Sequence, residues 1–362
     1  MEKYMNIAGH FAVSGTPSGI AVLGAGHIND SFVLRTQESD KPDYLLQRIN
    51  HHIFKDVDML QNNIKQVTEH IRKKLTEKGE TDIDRKVMTI VPAKDGKLYH
   101  FDGENYWRIY VFIEGSKSFD AINAPLAYEA GKAFGDFQSY LADLPTELGE
   151  TIPDFHNMEF RLEQFRQAVK DDLVGRVQSN RELIDEIEKR ADEMCLPNRL
   201  YREGKLPKRT NHCDTKVNNI LFDDKGNVLC VVDLDTVMPG FVLSDFGDFM
   251  RTGANTGAED DADLNNIGID LEIFAAYAKG YAEKTGDFLL PVEKENLAFG
   301  AKLLTYMQTV RFFTDYLNGD TYYKIHFPEH NLQRTKAQLK LLQDMEAHYG
   351  EMCRIVKEAY GK

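Results

Sequence analysis

Nowhere in the sequence do about eighteen uncharged apolar residues run together, the length that a membrane-crossing helix requires, so membrane insertion is not expected. The opening stretch MEKYMNIAGHFAVSG lacks a basic segment followed by a continuous apolar one, and no export signal is expected from it. Cysteine is scarce: Cys195, Cys213, Cys230 and Cys353 stand far apart, without a CxxC pair. That spacing fits reduced thiols better than a disulfide framework or a structural zinc site, and with them a cytoplasmic location. Positive charge is also short, with 44 Lys and Arg against 58 Asp and Glu and a net charge of −14. Nucleic-acid binding by counterion release needs clustered cations that such a chain does not obviously supply. A phosphate-bearing ligand would therefore have to arrive with a metal. Repeats and low-complexity tracts are missing too, and the acidic patch GAEDDADL is too short to be a tail.

What is present is ordinary for a globular protein: 42% hydrophobic and 28% charged residues in a chain of 362. At roughly 150 residues per domain, that length suggests about two domains. Periodicity divides the chain near residue 115. Before it lie short β-rich runs, GIAVLGAG, INDSFVLRT, DYLLQRIN, RKVMTIVPA, KLYHF and NYWRIYVFI, separated by Gly, Asp or Asn. They predict an antiparallel sheet. One helix interrupts them, with Val57, Leu60, Ile64, Val67 and Ile71 spaced at three and four along a single buried face. After FIEGSKS the apolar spacing is helical almost throughout. The exception is NILFDD and NVLCVVDLD, which flank the turn signal Lys225-Gly226 and predict a hairpin. The expectation is an α+β fold of two lobes, residues 1–114 for nucleotide and residues 115–362 for catalysis and acceptor.

The loop before that hairpin carries His212, Asp214, Lys216 and Asn219, and the second strand ends in Asp233 and Asp235. A hairpin brings its ends together, so Asn219 and Asp233 are expected to offer the hard oxygen ligands that Mg²⁺ accepts alongside water and phosphates. Asp214 is then left to orient an attacking hydroxyl. Metal, cation and orienting carboxylate are what moving a terminal phosphoryl group demands. The competing reading is a polar turn whose Asp and Asn side chains only cap local backbone.

NHCDTKVNNILFD followed by VVDLDTVMPG resembles the catalytic and metal segments of the aminoglycoside phosphotransferase-like kinases, two-lobed relatives of the protein kinases. Across most of the chain, GAGHIND, LLQRIN, AFGDFQ, DFGD, RFFTDYLNGDTYY and PEHNLQRT are most similar to the members that phosphorylate N-acetylhexosamines. The resemblance implies ATP, Mg²⁺ and transfer of the γ-phosphoryl group to the anomeric hydroxyl of GlcNAc or GalNAc. It places Asp214 at the acceptor hydroxyl, Lys216 at the γ-phosphate, and His27, Arg311 and Tyr322 at the sugar. The backbone of Gly24 and Gly26 would approach phosphate, and that of Phe112, Ile113 and Glu114 the adenine edge. The third strand departs from the kinase pattern: it offers Gln47 and Arg48 where a lysine is usual, and alternation turns only one of them inward, by resemblance Gln47. Asp245 in DFGD imitates a kinase metal ligand but lies past the hairpin, and is read as a structural or helix-capping carboxylate. For Arg311 the alternative is a helix-end ion pair with Asp315, four residues on. For the whole chain the alternatives are another acceptor, such as an aminoglycoside or choline, or a silent nucleotide- or sugar-binding module.

Overall fold

The computed structural model describes residues 2–24 and 28–361. They form two compact units: one made of the residues up to Ser118 with Asp143–Pro153 and Ile220–Met238, the other of Phe119–Ala142, Asp154–Asn219 and Pro239–Lys362. The expected α+β plan, a small antiparallel sheet and a larger helical lobe, is the one the chain adopts.

In the first unit the strands Pro17–Val22, Asp30–Thr36, Tyr44–Ile49, Tyr106–Val111 and Ile90–Val91 lie side by side in that order, and His100–Phe101 pairs with Tyr106–Val111. Every pairing is antiparallel. Alternation sends Phe32, Leu34, Leu46, Trp107 and Ile109 to one buried cluster, which Ile7 and Ala8 of a short helix, Glu2–Ala8, help to close. The helix Val57–Glu77 starts where the Asp56 carboxylate accepts the Met59 N–H. All five of its predicted apolar positions are buried. The hairpin pairs Ile220–Phe222 with Val228–Val231, and Gly226 at its turn has a φ of 82°.

In the second unit the helix Ala124–Leu141 packs on Leu271–Thr285, and Val242–Gly253 packs on Leu297–Leu317. The second crossing is made by glycine. A Cβ on Gly247 would stand 2.0 Å from the Gly300 carbonyl oxygen, and one on Gly300 would stand 2.0 Å from that of Leu243. Gly247→Ala is expected to cost about 3 kcal/mol, the upper end of the overpacking range, because the opposing atoms are backbone and cannot rotate away. A thermal melt of that variant at the wild-type temperature would contradict so close an approach.

Candidate active site

In the second unit the loop from His212 to Asn219 is held from below by Asp245. That carboxylate accepts the backbone N–H of Cys213 at 2.8 Å, through Oδ1, and that of His212 at 2.8 Å, through Oδ2. The side-chain amide of Gln138 donates to Oδ2 at 2.9 Å, and Tyr281 donates its phenol to the same Gln138. Thr215 adds a bond from its hydroxyl to the Asp245 carbonyl. Cys213 has a left-handed backbone at φ 63°, a conformation costly for a residue with a Cβ. The Asp245 anchor is what holds it there. Burial drives the Asp245 carboxyl up to about 7, against its backbone donors, which pull the other way. Asp245 sits in the first turn of Val242–Gly253, but its side chain serves the neighbouring loop rather than capping its own helix.

Asp214 lies between two partners. The Lys216 ammonium is 3.0 Å from Oδ1, and the Asn219 side-chain amide donates to Oδ2 at 3.1 Å and to the Asp214 carbonyl at 2.8 Å. Burial pushes the Asp214 carboxyl up, but Lys216, His212 and Asn219 outweigh it and hold the pKa below the ordinary carboxylate range. The same pairing drives the Lys216 ammonium well above its usual value. Asp214 is therefore an anion at any working pH, and a hydrogen-bond acceptor. With Nδ2 of Asn219 turned to Asp214, the amide oxygen is the atom that side chain has left for a cation, and a hard oxygen fits Mg²⁺.

A depressed pKa means that the anion, and the stability drawn from its partners, persists above the ordinary carboxylate value and is lost as pH falls through the lowered one. Lys216→Met is accordingly expected to move the acidic limb of kcat/KM upward by about one pH unit. A pH–rate profile with an unmoved acidic limb would show that Lys216 does not set the Asp214 charge.

Arg311 stands on Leu297–Leu317, in a cavity of about 620 Å³ that Arg161, Thr314, Asp315, Tyr322 and Tyr323 also line. Sequence spacing allowed an Arg311–Asp315 ion pair. Instead Asp315 accepts the backbone N–H groups of Thr321, Tyr322 and Tyr323 and the Asn331 amide, fixing the loop that carries Tyr322. The Arg311 guanidinium donates to Gln308 and lies over the rings of Phe155 and Tyr323. Arg161, on Met158–Asp171, donates to the Phe155 carbonyl and Gln164. Burial first, and Arg311 second, bring its pKa down to about 10. The hydrogen bonds of both guanidiniums go to neutral partners, and the carboxylates of Glu163, Asp171 and Asp315 line the same cavity. His156 is buried beside the two arginines, its Nδ1 without a partner in the described structure, and burial followed by Arg311 and Arg161 pushes its pKa down to about 3. Sequence reading had singled out Arg311 and Tyr322 but neither Arg161 nor His156.

In the first unit Gly24 has a φ of 62°, which favours glycine, while Gly26 and His27 lie outside the described residues. Arg48 pairs with Asp30 and donates to Asn105. Gln47 donates to the Ser31 hydroxyl at 2.9 Å and accepts from Arg108 at 3.0 Å. Near the expected adenine edge, Phe112 donates its N–H to the Asp43 carbonyl, the Ile113 carbonyl accepts from Ser116, and that of Glu114 accepts from Arg85. Asp233 takes a left-handed conformation at φ 60° at the N-cap position of the single turn Leu234–Thr236, without a side-chain capping bond. Among the described residues no group of three or more His, Cys, Asp or Glu is placed to hold a metal. No described helix is long and apolar enough to cross a membrane.

Residues 19–282 match the phosphotransferase enzyme family (APH). Among solved structures, an aminoglycoside phosphotransferase from Alicyclobacillus acidocaldarius is similar at a TM-score of 0.61 and 11% identity, over 98% of this chain and 96% of that one. An amicoumacin kinase solved with AMP-PNP, Ca²⁺ and Ami reaches 0.57 at 12% identity, over 99% and 93%. Choline kinase from Cryptosporidium parvum reaches 0.56 at 14% identity, over 100% and 99%. At these identities the likeness establishes the fold, which is the two-lobed, protein-kinase-like one.

Proposed function

The chain belongs to the phosphotransferase enzyme family, and on that premise we propose that it is an ATP- and Mg²⁺-dependent kinase that phosphorylates the anomeric hydroxyl of an N-acetylhexosamine, GlcNAc or GalNAc. The observation that carries the acceptor class is the pair Arg161 and Arg311, two guanidiniums in one cavity whose hydrogen bonds go to neutral partners, the Phe155 carbonyl, Gln164 and Gln308, while Glu163, Asp171 and Asp315 complete a lining of both charges. A neutral sugar brings hydroxyl and acetamide oxygens, which forked donors bind. The anomeric position rests on the sequence segments shared with kinases of that specificity. The solved neighbour holding AMP-PNP and Ca²⁺ supports a nucleotide and a divalent cation as co-reactants.

In this reading Asp214 accepts a hydrogen bond from the attacking hydroxyl and aims its oxygen at the γ-phosphorus. A carboxylate with a lowered pKa is a weak base but a good acceptor, which suits a loose transition state that needs orientation more than early deprotonation. Lys216 places positive charge beside the transferred group. Bound Mg²⁺ supplies charge neutralisation across the phosphates, and Asn219 and Asp233 are the proposed ligands. Gly24 and Gly26 are proposed to approach phosphate through their backbone, with Gln47 rather than Arg48 on the nucleotide side and Phe112, Ile113 and Glu114 at the adenine. His27 and Tyr322 are proposed to contact the sugar with Arg311. The test is ATP consumption by the purified protein with Mg²⁺ and GlcNAc or GalNAc, with the phosphate located by NMR. Turnover on kanamycin or choline alone would overturn the acceptor assignment.

A further inference from the structure

The third strand lacks the expected lysine, yet a cation is present one strand away. Arg108 lies directly opposite Gln47 in the pairing of Tyr44–Ile49 with Tyr106–Val111. It is 2% exposed, and its guanidinium spends every arm on this unit's own groups. Nε donates to Gln47 Oε1, and Nη1 and Nη2 both donate to the Asp235 carboxylate, Nη2 at 2.8 Å. Asp235 accepts a further bond from the Asn29 amide, and Asn29 in turn accepts the Asn50 N–H at 2.9 Å. The network therefore runs from Ser31 through Gln47, Arg108, Asp235 and Asn29 to Asn50, with each side chain bonded on both sides.

Two consequences follow from the chemistry. An Asp235 carboxylate that accepts three bonds from a fork and an amide is committed to this network, which makes Asp233 rather than Asp235 the acid of VVDLD available to a cation. Asp235 is also the middle residue of the single turn Leu234–Thr236, and Asp233, at the N-cap position of that turn, has a left-handed backbone. The buried fork holds that turn at its middle residue, two positions from Asp233.

We infer that Arg108 is a positioning residue for the divalent cation: through its fork on Asp235 it fixes the turn that presents Asp233, in place of a lysine reaching the phosphates from the third strand. The inference rests on the reading of Asp233 as a metal ligand. It predicts that geometry matters as well as charge, so a lysine at this position is not a conservative replacement.

The test is Arg108→Lys, read by electron paramagnetic resonance of Mn²⁺ binding in the presence of the non-hydrolysable nucleotide AMP-PNP. Steady-state KM values and thermal melts of the same protein accompany it. The expected result is Mn²⁺–nucleotide affinity lower by on the order of tenfold, the loss typical when a group orienting a metal ligand is removed. KM for the sugar is expected to stay as in the wild type. Wild-type Mn²⁺ affinity in a folded Arg108→Lys protein would overturn the inference and reduce Arg108 to a structural ion pair. Should Arg108→Lys fail to fold, the neutral pair Arg108→Met with Asp235→Leu removes both buried charges together, which cores tolerate far better than losing one. Weakened Mn²⁺ binding in that folded double variant supports the inference, and unchanged binding overturns it. Asp233→Ala separates the two levels: if it leaves Mn²⁺ binding intact, the metal-ligand reading itself fails. If Asp233→Ala abolishes binding while the Arg108 variants do not weaken it, only the positioning role fails.

Discussion

Asp214→Asn is expected to lower kcat by about a thousandfold, within the range that a positioned acid–base group contributes, while leaving nucleotide affinity close to that of the wild type. The side chain keeps its volume and an oxygen, so the Asn219 and Lys216 contacts lose strength rather than space. What disappears is the anion that Lys216, His212 and Asn219 maintain against burial. An amide accepts a hydrogen bond from the acceptor hydroxyl weakly, and its NH₂ face repels the same hydroxyl proton. Single-turnover kinetics with isothermal titration of the nucleotide separates the two quantities. Turnover within tenfold of the wild type would remove Asp214 from the chemistry, and a parallel loss of nucleotide affinity would place it on the metal.

Asp233→Ala is expected to produce the opposite split. Removing a carboxylate ligand weakens the metal–nucleotide complex by about a hundredfold or more, since a cation with few protein ligands cannot replace one cheaply. The KM for the acceptor should change little. Raising Mg²⁺ should restore part of the rate, because mass action compensates for affinity when the transition-state groups are intact. A titration of rate against Mg²⁺ at saturating nucleotide checks this. An unchanged half-saturation point would show that Asp233 does not hold the cation. Because Ala also favours left-handed backbone less than Asp does, the melting temperature should be followed in the same samples.

Much of this architecture was legible in the chain because local pattern and burial agree. The strand runs before residue 115 alternate as a half-buried sheet must, and Val57, Leu60, Ile64, Val67 and Ile71 mark one helical face. Other elements left weaker traces. The helix Glu2–Ala8 has only seven residues, too few for a periodic signal, and Leu196–Arg202 opens with a proline in its first turn. The continuous apolar spacing from His330 to Ala359 hides a break at His348, which only Gly350, two residues on, marks. Element boundaries of this sort are decided by tertiary packing, which no local window contains.

At the site, the loop from His212 to Asn219 was readable because its chemistry is close in sequence. Arg108 and Asp235 stand 127 residues apart and could be paired only in space. A signal was nonetheless present. An arginine inside the apolar run YWRIYV cannot be buried without a carboxylate, and VVDLD supplies two. Arg161 and His156 gave no such signal, since both sit in polar stretches that a solvated helix start explains equally well. The alternative pairing of Arg311 with Asp315 does not form, for a physical reason. Three backbone N–H groups in the 321–323 loop reach Asp315 at 2.7 to 2.9 Å, and donors already fixed by the chain outcompete a flexible guanidinium.

The glycine crossing has a practical bearing on anyone wishing to retune the acceptor. Leu297–Leu317 carries Arg311 near one end and Gly300 near the other, and Gly300 locks it to the helix whose Asp245 braces the catalytic loop. Repacking that rod to reshape the cavity would disturb the machinery along with the specificity. Diversity is better introduced at Thr321, Tyr322 and Tyr323, whose backbone Asp315 already clamps, so that their side chains can be exchanged like bits in a fixed chuck.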